Sequence, residues 1–137
     1  MMSEKRYRLR VDQKIIGYKR VIGKNYEFYS RNGLWWSGHI LYYKQVDEFS
    51  GLKDKNDRHL YELDIVEYRI DKDIPLRKGV ILWHKKDEYF CIKDLEDTGF
   101  LPISVDGVMI FNSRDLTFHS YLFINPEIME MLGLSDD

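Results

Sequence analysis

A charged stretch near the middle of the chain, FSGLKDKNDRHLYELDIV (residues 49–66), contains the residue types that bind calcium in loops. Such a loop alternates carboxylate or amide ligands, places glycine at its sixth position and ends on glutamate at its twelfth. Counted from Asp54, the sixth position is His59 and the twelfth is Ile65, so both requirements fail. The same residue types also favour turns. We therefore interpret residues 50–59 as a strand-connecting turn and expect no metal there.

Other reactive side chains occur without the spacing that catalysis requires. The four histidines form no i, i+4 pair and no HExxH motif. The only cysteine, Cys91, lies in an apolar segment and is predicted to be a buried, inert thiol. The sequence contains no glycine-rich phosphate loop and no GxSxG motif. These observations favour a protein that is not an enzyme and uses no cofactor.

Trp35 and Trp36 are the main candidates for a binding surface. Because adjacent residues of a strand point to opposite faces, we expect one ring in the core and the other exposed. An exposed ring near a basic side chain can anchor a protein partner or stack on a base, whereas core packing and self-association are the alternatives. The turn would add a charged rim made of Lys53, Asp54, Lys55 and Asn56.

Charge is unevenly distributed along the chain. Residues 1–31 hold nine basic and three acidic side chains, a net charge of +6, whereas the remainder carries −8. Attraction between the two parts within one fold is our favoured explanation. The alternative is a nucleic-acid surface, although the overall pI of about 6.1 argues against it. That surface would use the basic residues Arg6, Arg8, Arg10 and Arg31.

Composition and hydrophobic pattern predict a mainly β protein. The 137 residues include no alanine, and 15% are aromatic, which suits pleated, half-buried surfaces. Gly17 indicates a bulge, and Arg31-Asn32-Gly33 indicates a hairpin turn. Apolar alternation places strands at 7–11, 15–22, within 26–43, and at 64–70, 79–84, 88–93, 108–111 and 116–124.

The end of the chain predicts one short helix over residues 126–132. Asn125 stands at the N-cap position, followed by proline at the first helical position, and a glycine follows the last turn. The residues expected to face the core are Ile128, Met131 and Leu132.

The opening stretch, continued as FSGLKDKNDRHLYELDIVEY, resembles the signature of the YopX-like family of bacteriophage and prophage proteins. Residues 51–56 match the family phrase in order, as do Tyr61, Glu62 and 64–66. GVILWHKKDEYFCI resembles the next strand pair of the family, and INPEIME its closing helix. The resemblance covers about residues 49–132 well and 1–48 loosely. Two positions depart from it, since Asp57 and Leu63 replace glycines that the family usually has.

This resemblance implies a small SH3-like β-barrel core over residues 49–137, with a β-rich segment 1–48 packed against it or joined with it in one domain. It implies no assigned reaction. We therefore expect a phage-derived accessory protein that binds a host or phage protein, or a second copy of itself. The N-terminus has no apolar secretion segment and no apolar run could span a bilayer, so we expect a cytoplasmic protein of the bacterial host.

Overall fold

The computed structural model describes residues 3–134 and consists of strands, short turns and one short α-helix. Two 3₁₀ turns, Ser113–Asp115 and Leu122–Ile124, flank the last strand. The strands are β1 (Glu4–Val11), β2 (Lys14–Ile22), β3 (Tyr26–Ser30), β4 (Gln45–Lys53), β5 (His59–Tyr61), β6 (Asp64–Tyr68), β7 (Arg77–His84), β8 (Tyr89–Asp94), β9 (Phe100–Pro102), β10 (Ser104–Val105), β11 (Val108–Met109) and β12 (Leu116–Tyr121), and the helix is α1 (Pro126–Met131).

The strands form two five-stranded antiparallel sheets and one small hairpin. Sheet 1 has the order β3-β2-β1-β4-β5, sheet 2 has the order β12-β6-β7-β8-β9, and β10 pairs with β11. The mainly β prediction is therefore confirmed. Within residues 3–134 neither large sheet closes on itself, so the SH3-like barrel is not confirmed.

Sheet 1 is built around β1, which pairs with both β2 and β4. The register between β1 and β2 shifts where Leu9 faces Gly17 and Arg10 faces Ile15, which confirms a bulge beside Gly17. Strand β4 pairs with β1 at one end and with β5 at the other. Because β4 spans residue 48, the segments 1–48 and 49–137 share this sheet.

Sheet 2 is buried on both faces, which explains the long apolar runs in its central strands. In β6, Ile65 and Val66 point to opposite faces, and Val80 and Ile81 do the same in β7. Each face packs against its own group of buried side chains. One group contains Leu52, Leu60, Val66, Tyr68, Ile81, Ile92, Ile103, Phe111 and Leu116, and the other contains Ile65, Val80, Leu122, Phe123 and Met129.

Helix α1 begins at Pro126 and lies against the second of these groups. Gly133 follows it with a φ of 70°, the left-handed conformation expected after a helix end. The helix is confirmed, but the prediction that Met131 faces the core is wrong. Met129 is buried instead, while Ile128 and Leu132 pack against the same group as predicted and Met131 is 62% exposed. In the described chain no helix has the length and apolarity to cross a membrane.

Candidate functional site

The charged turn of residues 54–58 connects β4 to β5, as predicted, and Asp54 organises it. The Oδ1 atom of Asp54 accepts hydrogen bonds from the backbone N–H groups of Asn56 at 2.9 Å and Arg58 at 3.1 Å. Its Oδ2 atom accepts another from the N–H of Phe118 in β12, also at 2.9 Å. The Asp54 side chain is therefore buried, and the prediction that it belongs to an exposed rim is wrong. Lys55 and Asn56 remain exposed, and Lys53 is half-buried.

The two positions that replace family glycines both adopt glycine-like backbone conformations. Asp57 has a φ of 66° and Leu63 a φ of 75°. Asp57 is exposed and its residue type tolerates the left-handed region. Leu63 is held between sheet 2 and the 3₁₀ turn Leu122–Ile124, since its N–H donates to the carbonyl of Ile81 and its carbonyl accepts from the N–H of Leu122, both at 2.8 Å. Both turns therefore adopt left-handed backbone conformations without glycine.

Arg8 and Arg10 form a buried ion cluster with Asp47 and Asp64, which we call the inter-sheet ion cluster. Arg8 donates through Nε to Asp47 at 2.8 Å, through one terminal nitrogen to Asp64, and through the other to the carbonyl of Glu62 at 3.0 Å. Arg10 donates to both carboxylate oxygens of Asp47, through Nε at 2.8 Å and through a terminal nitrogen at 2.9 Å. Arg8 is only 2% exposed and Arg10 only 1%. The prediction that these two arginines form a nucleic-acid surface is therefore wrong.

Alternation failed to reveal this cluster because its acidic partners come from other strands. Asp47 faces Arg8 across the β1–β4 pairing, and Asp64 begins β6 in the other sheet. Aromatic rings complete the surroundings, with the Arg10 guanidinium 4.1 Å from the centre of the Phe123 ring. Burying arginine demands such pairing, because an unpaired buried charge is very costly. No sequence signal distinguished Asp47 and Asp64 from Glu48 and Glu67 in the same strands.

A cleft of about 390 Å³ opens between sheet 1, the charged turn and β12. We call it the signature cleft, because the family-like segment supplies Asp57, Arg58, His59, Tyr61 and Asp64. The remaining lining residues come from β1, β2, the turn after β3 and β12, and they are Arg6, Arg8, Tyr18, Asn32, Gly33, Leu34 and Tyr121.

Arg58 is the exposed cation of the signature cleft, and sequence analysis did not single it out. Its guanidinium lies 3.6 Å from the centre of the Phe118 ring and donates to the Tyr121 hydroxyl at 2.6 Å. Within residues 3–134 no carboxylate lies within ion-pair distance of it. The side chain is therefore oriented by neighbours that leave its charge available. Arg6, also in the cleft, is 3.5 Å from Glu4.

Burial and nearby cations shift the pKa values of two cleft residues, His59 and Tyr61. Burial lowers the pKa of His59, and the nearby charges of Arg6 and Lys53 lower it further. Burial raises the pKa of Tyr61 to about 12, although Arg6 opposes the rise. Both shifts favour the neutral form of the group. The cleft therefore presents neutral polar rings alongside guanidinium groups.

The second feature is the loop of residues 31–44, which we call the aromatic loop. Only one isolated bridge, between Tyr29 and Ser37, continues the pairing beyond β3, so the predicted strands within 26–43 end at Ser30. Trp35 is 78% exposed. Trp36 is half-buried outside the core, with the guanidinium groups of Arg6 and Arg20 within 5.5 Å of its ring centre. One tryptophan is thus exposed as predicted, but the other packs on arginines.

The aromatic loop is tied to sheet 1 at several points. Tyr29 and Ser37 exchange two backbone hydrogen bonds, at 2.7 and 2.9 Å, and the N–H of Lys44 donates to the carbonyl of Arg10 at 2.8 Å. Leu41 packs against Gly17, where an added Cβ would lie 2.4 Å from a Leu41 methyl carbon. Only glycine fits at this contact. These contacts fix the backbone that carries the exposed side chains of the loop.

The remaining predicted residues are dispersed. Arg31 is exposed in the aromatic loop and lines a second concavity, of about 490 Å³, together with Trp35 and Ile40. Cys91 is buried as predicted, and burial raises the pKa of its thiol. In the part of the chain that the structure describes, no three histidine, cysteine or acidic side chains come together as metal ligands.

Comparison with known proteins places the chain in a family. Neither the curated proteins nor the solved structures compared with it include a significant match. The family model described as "YopX protein" matches residues 4–110. The match begins at β1 and includes both the aromatic loop and the charged turn, but it stops before β12 and α1. Because it spans more than half of the sequence, this chain belongs to the YopX protein family.

Proposed function

We propose that this protein is a bacteriophage- or prophage-encoded accessory protein that acts in the bacterial cytoplasm as a non-enzymatic binding module. Its aromatic loop would be the anchor for a protein partner, which is either a host or phage protein or a second copy of the chain. One observation carries the proposal, namely the exposure of five large apolar or aromatic side chains on one held loop. They are Leu34 at 85%, Trp35 at 78%, Ile40 at 57%, Tyr42 at 86% and Tyr43 at 38%.

Such exposure is unfavourable in an isolated protein. Each apolar side chain left in water forgoes about 1.5–3 kcal/mol of burial free energy. Aromatic anchors such as tryptophan dominate the energetics of protein interfaces. Because the backbone of the aromatic loop is already fixed by hydrogen bonds and by the Leu41–Gly17 contact, binding would cost little ordering entropy.

Replacing Trp35 with alanine tests this proposal. We expect Trp35→Ala to lose the partner, or to lower the measured mass if the partner is a second copy, while the melting temperature stays within a few degrees. The measurements are light scattering after size exclusion and affinity recovery from host lysate treated with nuclease.

Phe100→Ala is the matched control, since Phe100 is a half-exposed aromatic residue in β9 of the other sheet. Its partner recovery and mass should equal those of the unaltered protein. Equal recovery and equal mass for Trp35→Ala and the unaltered protein would refute the anchor. Recovery that disappears with nuclease in all three proteins would instead favour nucleic acid as the partner.

The alternative of a nucleic-acid partner has less support once the burial of its predicted residues is known than it had from the sequence alone. With Arg8 and Arg10 buried, the arginines predicted for this surface reduce to the exposed Arg31 and the half-buried Arg6. These two do not form a continuous basic stripe of the kind that follows a phosphate backbone. We therefore keep the protein-binding module as the proposed function.

A further inference from the structure

Two arginines of the signature cleft, Arg8 and Arg58, differ in how many of their N–H donors are used within the fold, and this difference points to a ligand. Arg8, at the base, donates hydrogen bonds to Asp47, Asp64 and the Glu62 carbonyl, so its charge is paired within the fold. Arg58, at the mouth, makes one hydrogen bond to a neutral hydroxyl and stacks on Phe118. A guanidinium has five N–H donors in a rigid fork that matches phosphate and carboxylate oxygens. The Arg58 guanidinium at the mouth of the cleft is therefore oriented, and it has N–H donors that no described residue uses.

The rest of the signature cleft is suited to a planar group. The rings that reach the cleft are those of the half-buried Tyr18 and of Tyr121 next to Arg58, whereas Tyr61, with its ring centre 5.9 Å from that of Tyr18, is only 5% exposed. The exposed Leu34 side chain adds an apolar edge. Aromatic faces of this kind stack on heterocyclic bases, and phenol hydroxyls can bond to polar ring edges. A volume of about 390 Å³ is at the lower end of the range for small-molecule sites.

We infer that the signature cleft binds a nucleotide, with its phosphate on Arg58 and Arg6 and its base against the tyrosine rings. The ligand is either a free nucleoside monophosphate or the phosphorylated end of a single strand, since both present the same chemistry. Trp35 does not line this cleft, although the aromatic loop contributes Asn32, Gly33 and Leu34 to it, so the two proposals share one loop but depend on different side chains.

The test is titration calorimetry of the full chain with the four common nucleoside 5′-monophosphates and, separately, with the matching nucleosides. We expect a monophosphate to bind and its nucleoside to bind at least about tenfold more weakly. Arg58→Gln should weaken monophosphate binding by about ten- to hundredfold, the range typical for loss of a charge-assisted hydrogen bond. A 5′-phosphorylated and an unphosphorylated single-stranded oligonucleotide then separate the two sources. Binding of the phosphorylated oligonucleotide alone identifies a strand end.

Arg114→Gln is the matched control because Arg114 is exposed, lies in the 3₁₀ turn before β12 and does not line the signature cleft. It removes the same charge from another place. Should Arg58→Gln unfold the chain, Tyr121→Phe serves instead, since it removes only the hydroxyl that orients Arg58 and should weaken binding severalfold.

Three results would overturn the inference. The first is that no monophosphate and no oligonucleotide binds. The second is an equal loss for Arg58→Gln and Arg114→Gln, which indicates general electrostatic attraction. The third is equal binding of nucleoside and monophosphate. Trp35→Ala should leave nucleotide binding unchanged, so failure of the cleft and failure of the aromatic-loop anchor remain distinguishable.

Discussion

At the scale of single residues, Leu63 shows how sheet geometry can override the preference of a side chain. Two backbone hydrogen bonds, one to Ile81 in sheet 2 and one from Leu122 in the 3₁₀ turn after β12, hold its φ at 75°, a conformation that costs an ordinary L-residue about 1–2 kcal/mol. The Leu63 side chain packs on the group of buried residues beside Ile65 and Val80. Packing therefore offsets backbone strain at this position, which explains how leucine can stand where the family usually has glycine.

This balance predicts an unusual order of stability for two variants at position 63. Leu63→Ala keeps the strained φ and loses the packing, whereas Leu63→Gly loses the packing but releases the strain. We expect Leu63→Gly to be more stable than Leu63→Ala by about 0.5–1 kcal/mol, after allowing for the greater entropy of unfolded glycine. Urea unfolding of both variants measures the difference. The opposite order would show that the φ of Leu63 is not strained in solution.

At the scale of elements, Asp94 joins three neighbouring parts of sheet 2. It ends β8, accepts hydrogen bonds from Arg77 in β7 at 2.6 and 3.0 Å, and accepts another from the Tyr68 hydroxyl in β6. It also accepts the backbone N–H groups of Glu96 and Asp97, which shape the acidic loop after β8. These hydrogen bonds, led by that from Arg77, hold the pKa of the buried Asp94 carboxyl well below its usual range.

The lowered pKa predicts an acid-dependent contribution of Asp94 to stability. Because the folded-state pKa lies below the unfolded value of about 3.9, the contribution is complete above that pH and is lost as the pH falls toward the folded-state pKa. Asp94→Asn should cost about 2 kcal/mol of unfolding free energy at pH 7, and the gap to the unaltered protein should narrow below about pH 4. Denaturant unfolding at pH 7 and near pH 2.5 measures both values.

Asp97→Asn provides the control for this experiment. Asp97 is exposed and only 4.0 Å from Arg77, so its replacement should change the unfolding free energy by less than about 0.5 kcal/mol. A gap between Asp94→Asn and the unaltered protein that stays constant with pH would show that the carboxylate charge is not what stabilises this junction.

At the scale of the whole molecule, local patterns predicted the strands but not the way the sheets meet. Apolar residues and turn signals located β1, β2 and β6 to β8, although burial in β1 does not alternate, since Arg8, Leu9 and Arg10 are all buried. These patterns misjudged Arg8 and Arg10, because a buried arginine and a surface arginine look identical until Asp47 and Asp64 are placed beside them. Arg58 was missed for the same reason, since only the folded chain shows that its charge has no acidic partner in the described residues.

The inter-sheet ion cluster makes the two sheets depend on each other, and this leads to a prediction for the whole fold. Arg8 belongs to sheet 1 and bonds Asp64 of sheet 2, while Asp47 holds both Arg8 and Arg10. Asp47→Asn would leave two buried guanidinium groups with one carboxylate. Removing one partner of a buried ion pair typically costs about 3–5 kcal/mol, a large share of the stability of a domain this size.

We expect Asp47→Asn to lower the unfolding free energy by that amount, and Asp73→Asn, an exposed control, to change it little. Amide hydrogen exchange shows which strands lose protection in Asp47→Asn. If Arg8 couples the sheets, protection should fall together at Leu9 in β1 and at Ile65 in β6, because opening one sheet would expose the charge that the other must neutralise. Loss confined to Leu9 would mean that sheet 2 is stable without the cluster. In that case packing against its two buried faces, rather than the ion pairs, would hold the molecule together.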